Sequence, residues 1–316
     1  MALIKLGSKG TQVAELQKLL NEKGFDAGIA DGVFGRGTER AVKEFQASVG
    51  LVADGIVGNM TWEALRDNPV KTYQFDLEFD FTSYPLNENE YYREIVTKDT
   101  IFIHHTAGGA RPDYVIDGWE RDKTRSGNVL RVGTAFLIGR KTNGVKDFDG
   151  EIYVPFNPKY WSHHLGLKRP KYAPFNNARL NAKSIAIEIC SYGWLQREES
   201  GRFYFETGSG KIYVPNDEVC ILDKPWRGKK YFQKYTDKQI NSLKKIILEL
   251  ARKFDIPLPN IKYDECFFDL KYDALNGAPG LWTHVNVRED KWDCFPQPEL
   301  IEVLNTLYNE LYNSEG

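Results

Sequence analysis

The chain has 316 residues, which at ~150 residues per domain points to two domains. Its 41% hydrophobic and 13% aromatic content is enough to bury a core, which excludes disorder over most of its length. Lys+Arg 42 against Asp+Glu 44 leaves a net charge of −2, which removes the electrostatic case for nucleic acid or an anionic membrane as the main partner.

No apolar run approaches the ~18 residues of a membrane span, so no membrane insertion is expected. The opening MALIKLGSKG has no stretch of secretory-signal length, so synthesis in a cytoplasm is expected. The cysteines at 190, 220, 266 and 294 form no CxxC pair, which argues against both a disulfide framework and a cysteine-rich zinc knuckle. The five histidines fall in three clusters: His104 with His105, His163 with His164, and His284. Such sparse, clustered histidines point to chemistry.

In chain order, residues 11–22 place Val13, Leu16 and Leu20 on one face with Leu19 beside them, and Gly24 stops the helix. Residues 38–49 repeat the design with Val42, Phe45 and Val49, closed by Gly50. A third, shorter helix is predicted from Thr61 with Trp62 and Leu65 inward. The segments 31–38 and 54–61 share the frame Asp-Gly-x-x-Gly-x-x-Thr, a tight turn leading into a helix. Thr11, Thr38 and Thr61 stand where N-caps are expected.

Together LGSKGTQVAELQKLL, DGVFGRGTERAVKEFQ and GLVADGIVGNMTWEAL closely resemble the three-helix peptidoglycan-binding domain of cell-wall hydrolases, over residues 4–66. That resemblance implies a wall-binding module at 1–68. Residues 69–95 are then a connecting strand and loop: YQFDLEFDF (73–81) alternates apolar and acidic residues without error, which predicts a half-buried strand.

The second domain, 96–316, is predicted as α/β, a mixed β-sheet flanked by helices. Ile101, Phe102 and Ile103 form a short buried strand ending in His104 and His105, of which alternation allows only one to aim into a given site. In SIAIEIC (184–190), Ile185, Ile187 and Ile189 take one face, and Ser184, Ala186 and Glu188 the other. A carboxylate in a central-strand pattern is costly unless paired or used, and desolvation raises its pKa toward that of a general base.

In 280–300, His284 and Asp293 lie close together with Lys291 and Cys294 alongside. With a distant histidine they make a His-His-carboxylate set suited to Zn²⁺ with one open position. No HExxH occurs, which excludes the helical zincin arrangement. Residues 236–254 open with a Thr236/Gln239 capping box and place Ile240, Leu243, Ile247, Leu250 and Phe254 inward. The last helix starts near Pro298 with Leu300, Leu304, Leu307 and Leu311 inward, and 191–235 reads as an insertion.

The order IFIHHTAG, WSHHLGL (161–167), SIAIEI, then His and Lys-x-Asp is similar to the zinc-dependent N-acetylmuramoyl-L-alanine amidases, which include phage lysozyme-type amidases and animal peptidoglycan recognition proteins. The likeness runs from about residue 96 to 312. It implies His104, His284 and Asp293 as zinc ligands, Glu188 as general base and Lys291 as the lysine that stabilises the transition state. It also implies His164 as a lining of the substrate groove, with His163 and His105 packing or supporting.

Two departures stand out. Many relatives have Tyr-His-Phe where this chain has Thr134-Ala135-Phe136, so that tyrosine's role is unfilled or taken by another residue. The usual Asp-Pro-Gly ending is Asp293-Cys294-Phe295-Pro296, which makes Cys294 a rival third ligand.

The resemblance implies a monomeric peptidoglycan amidase of phage endolysin type, cutting between N-acetylmuramic acid and L-alanine. It would be made in the host cytoplasm and act on the wall after release. The rivals are a protein that binds wall without cutting it and a peptidase of the stem peptide.

Overall fold

The computed structural model describes residues 3–49, 51, 53–66, 77–142, 147–167 and 177–313. The chain divides into two compact units, Met1–Gln74 and Phe75–Gly316. Among the described residues no helix is long and apolar enough to cross a membrane, and all four cysteines are free.

The first unit contains α1 (Thr11–Glu22), α2 (Arg36–Ser48) and α3 (Asn59–Leu65). Val13, Leu16, Leu20, Val42, Phe45, Trp62 and Leu65 form its core with Ile4, Phe34 and Val57, as the helical spacing predicts. Val49, also expected inward, is 41% exposed because the helix ends one residue earlier.

The three threonines are not caps. Gly10, Gly35 and Gly58 hold the N-cap positions, with no side-chain cap bond at any of them. Thr38 and Thr61 serve instead two equivalent buried glutamines. Gln17 Nε2 faces Asp31 Oδ1, the Val33 carbonyl and Thr38 Oγ1 at 3.1–3.2 Å, while its Oε1 accepts from the Gly32 amide. Gln46 does the same for Asp54 Oδ1, the Ile56 carbonyl, Thr61 Oγ1 and the Gly55 amide. Gly32 and Gly55 take positive φ at matching places, so each repeated turn is wrapped around one amide side chain.

Gln46→Leu leaves the buried Gly55 amide and Thr61 hydroxyl without that partner, at ~1–3 kcal/mol for each group left unsatisfied. The expected result is a loss of about 2–6 kcal/mol from this unit, read as a lowered melting transition of the full chain. An unshifted melt would contradict the wrapped-turn account.

The second unit is built on one mixed sheet. Its strands are β1 (Thr82–Ser83), β2 (Thr100–His105), β3 (Phe136–Ile138), β4 (Ile152–Val154), β5 (Ser184–Ile189) and β11 (Gly280–Thr283), ordered β1-β4-β3-β5-β2-β11. The pairing of β3 with β4 is antiparallel and the others are parallel. Helix α4 (Pro112–Arg121) follows β2, and α5 (Asn177–Lys183) runs directly into β5.

The two faces of the central strands have separate cores. Ile101, Ile103, Ile185, Ile187 and Ile189 belong to the large cluster shared with α6 (Asp237–Phe254) and α8 (Pro298–Tyr312). Phe102 faces the other way, with Leu165, Leu167, Leu275 of α7 (Tyr272–Leu275) and Val287. The expected capping box at Thr236 and Gln239 is present. Phe254 and Leu311 are only partly buried, at the edge of that core.

The insertion folds as two small antiparallel pieces. One contains β6 (Gln196–Arg197), β7 (Phe203–Thr207) and β8 (Gly210–Val214); the other is the hairpin of β9 (Val219–Trp226) and β10 (Lys229–Gln233).

The strand predicted over 73–81 is not formed in its described part. Residues 77–81 bend, and only Thr82–Ser83 pair, with β4. Leu77, Phe79 and Phe81 still pack against the core, so the alternation reported burial and not a ladder. Residues 73–76 lie outside the described residues.

Candidate metal centre and active site

Parallel pairing assembles the site. In the β2–β5 register His104 stands opposite Glu188, and Thr100 and Phe102 stand opposite Ser184 and Ala186 on the same face. Strand β11 lies on the other side of β2, with Thr283 opposite Ile103, so His284 arrives beside His104 where that strand ends. A capping box between Thr283 and Asn286 opens the short turn 284–286 that carries His284. The site thus lies beyond the carboxyl ends of parallel strands, where open α/β sheets bind ligands.

Three donor atoms converge. His104 Nδ1 lies 3.0 Å from His284 Nδ1 and 3.4 Å from Asp293 Oδ2, and His284 Nδ1 lies 2.7 Å from Asp293 Oδ2. All three residues are buried. Among the described residues, no other group of three His, Cys, Asp or Glu side chains comes together in a way that could hold a metal.

The surrounding hydrogen bonds assign the tautomers. The Ser184 hydroxyl donates to the Leu180 carbonyl at 2.7 Å, so its oxygen accepts from His164 Nε2–H at 2.8 Å. His164 Nδ1 is then an acceptor for His104 Nε2–H at 3.0 Å, which leaves His104 Nδ1 a bare lone pair. His284 Nε2–H donates to the Leu165 carbonyl at 3.0 Å, and its Nδ1 is the nitrogen turned toward Asp293.

Nδ1 of His104, Nδ1 of His284 and the Asp293 carboxylate therefore face one another. Two imidazoles with a carboxylate are the donor set of a catalytic zinc site. Burial first, and the neighbouring His284 next, pull His104 down to about 4, which keeps it neutral. Burial acts to raise the Asp293 carboxyl, but His284 and His104 outweigh it and hold the group well below the usual range.

Glu188 is the one partly exposed residue of β5. Burial pushes its carboxyl up to about 8, the Asp293 charge adds to this, and the Lys291 charge opposes it. Lys291 is partly buried, and its charge also acts on His104. His164 stands behind His104, tied to Ser184. His163 Nε2 meets the Tyr92 hydroxyl at 3.2 Å.

His105 points through to the main core, where its Nδ1 meets the Tyr235 hydroxyl at 2.6 Å. A Cβ at Gly193 would come within 2.4 Å of His105 Nε2, so that position is closed to other residues. Cys294 is buried beside the same tyrosine. Neither Ser184 nor the Leu165 carbonyl had a local signal in the sequence for its part in setting tautomers. Ser184 stood out only as a small residue on the face of Glu188.

Residues 94–294 match the N-acetylmuramoyl-L-alanine amidase family, and residues 9–65 match the peptidoglycan binding domain family. A spore cortex-lytic enzyme of Oceanobacillus iheyensis is 33% identical over 126 residues, which is 40% of this chain and 38% of that protein. The N-acetylmuramoyl-L-alanine amidase CwlL of Bacillus licheniformis is 37% identical over 91 residues, 28% of this chain and 25% of that one. The chain thus spans well under half the length of either relative. Among solved structures, the SleB N-terminal domain is 43% identical over 21% of this chain and 89% of its own, with a TM-score of 0.20.

Proposed function

The chain belongs to the N-acetylmuramoyl-L-alanine amidase family, and from that premise we propose that it is a zinc-dependent peptidoglycan hydrolase. The bond cut is the amide between the lactyl group of N-acetylmuramic acid and the L-alanine of the stem peptide. The first unit holds the enzyme on the wall, in keeping with its match to a peptidoglycan binding domain. The reading is carried by the convergence of two imidazole nitrogens and a carboxylate oxygen, beside the Glu188 carboxylate that the next strand sets in register.

His104, His284 and Asp293 would hold the ion. When bound, Zn²⁺ supplies Lewis acidity that polarises a carbonyl and lowers the pKa of water to about 7. Glu188, ionised, takes the proton from the attacking water and returns it to the departing amine. Its raised pKa keeps it basic enough for the first transfer and acidic enough for the second. The Lys291 ammonium stabilises the negative charge that develops on the carbonyl oxygen. His164 keeps the proton of His104 on Nε2, so that Nδ1 stays free to coordinate.

The test is digestion of purified wall with every new end identified. New L-alanine amino groups are expected, abolished by a chelator and restored by Zn²⁺. New reducing sugar ends, amines from within the stem peptide, or binding without release would each overturn the reading. The phage-type lytic role implied by the resemblance is also a proposal. Its check is expression in a host whose membrane is separately permeabilised, where lysis is expected and intact cells would count against it.

A further inference from the structure

Loop 284–293 carries His284, Lys291 and Asp293, yet after the turn 284–286 it has no regular secondary structure up to α8. Its carbonyls need donors from elsewhere. The insertion supplies them. Arg227 Nη1 donates to the carbonyls of Arg288, Glu289 and Lys291 at 3.0, 3.0 and 2.9 Å. Its Nη2 donates to the Val285 carbonyl at 3.2 Å and to Asp269 Oδ1 at 3.1 Å. The Arg227 side chain is only 13% exposed.

The loop reaches back as well. Trp292, between Lys291 and Asp293, donates from Nε1 to the Arg227 carbonyl at 3.1 Å. Its ring lies near Trp194 and under the Lys229 ammonium, both from the insertion. Arg227 and Gly228 form the tip of the β9–β10 hairpin at φ 49° and 74°. A two-residue turn with both positions left-handed favours Asn or Gly at the first. An arginine held there against its backbone preference has its side chain fully engaged with the loop.

We propose that Arg227 is a positioning residue: its guanidinium fixes the backbone of loop 284–293 and thereby the placement of Lys291 and Asp293. The insertion is then a brace for the catalytic loop. This rests on the reading of Lys291 and Asp293 given above. A planar fork with five donors suits such a task, because one ammonium cannot reach four carbonyls and a carboxylate together.

The test uses the full chain with Arg227→Met, Arg227→Lys and Trp292→Phe. It reads kcat and KM on a soluble N-acetylmuramoyl peptide, zinc affinity by chelator competition, and amide exchange of 285–293 in metal-free protein. For Arg227→Met, zinc affinity and kcat should each fall about 10- to 100-fold, with KM nearly unchanged and loop exchange faster. Arg227→Lys should recover part of the loss.

A folded Arg227→Met with unchanged zinc affinity and loop exchange overturns the proposal. If Arg227→Met does not fold, Trp292→Phe decides, since it keeps a partly buried ring and removes one donor. Faster loop exchange and lower kcat at an unchanged melting temperature support the brace, and no change in either overturns it. A wild type that cleaves nothing would sink the amidase reading instead, while the metal-free exchange still judges the brace.

Discussion

Asp293→Ala is expected to lose bound zinc and wall cleavage together, whereas Cys294→Ala keeps both. Asp293 brings the only negative charge to the three converging donors, within 2.7 Å of His284 Nδ1 and 3.4 Å of His104 Nδ1. Removing one member of a buried charged set costs ~3–5 kcal/mol, which is roughly two to four decades in affinity. Cys294 is buried in the main core with Tyr235 and Phe295, so its loss should lower the melting temperature and leave the metal in place. Zinc counted per chain, beside L-alanine release, checks both variants. A Cys294→Ala protein without zinc, next to an Asp293→Ala protein that retains it, would exchange the two assignments.

The second large effect is at Glu188. Glu188→Gln keeps the shape of the side chain and removes its ability to accept a proton, so kcat should fall by about 10²- to 10⁴-fold. Zinc content should not change, because the carboxylate is not among the three converging donors. The pH profile gives an independent reading. The carboxyl must be ionised to act, so activity is lost as pH falls through its pKa. Burial puts that value at about 8, and a nearby divalent cation favours the ionised form and moves it lower. The acid limb in the wild type therefore has its midpoint below about 8, and it should be absent from the residual activity of Glu188→Gln. A variant that retains the limb would assign it to another group, and one that retains full kcat would make Glu188 structural.

Periodicity carried most of the fold, and of the expected caps only the Thr236/Gln239 box is present. The helices at Thr11–Glu22 and Asp237–Phe254, the strands around Ile101–Ile103 and Ser184–Ile189, and the sorting of His104 from His105 all follow from spacings of 3.6 or 2 residues. These are local properties that the chain cannot satisfy in many ways. The order of histidine, glutamate and Lys-x-Asp motifs likewise named the residues that the sheet brings together.

Other features depended on partners distant in sequence. The alternation at 77–81 had the right burial and the wrong backbone, because a strand exists only where a neighbouring edge offers its hydrogen bonds. Thr38 and Thr61 were legible as turn residues, but their hydroxyls answer to Gln17 and Gln46, which no local rule pairs with them. The second ring nitrogens of His164 and His284 meet Ser184 and the Leu165 carbonyl, and the Lys291 carbonyl accepts from Arg227, 64 residues earlier. Residue types and periods were decided by the order of amino acids along the chain. Which buried polar atom meets which was decided only when the folded chain excluded water and brought donors and acceptors distant in sequence within reach.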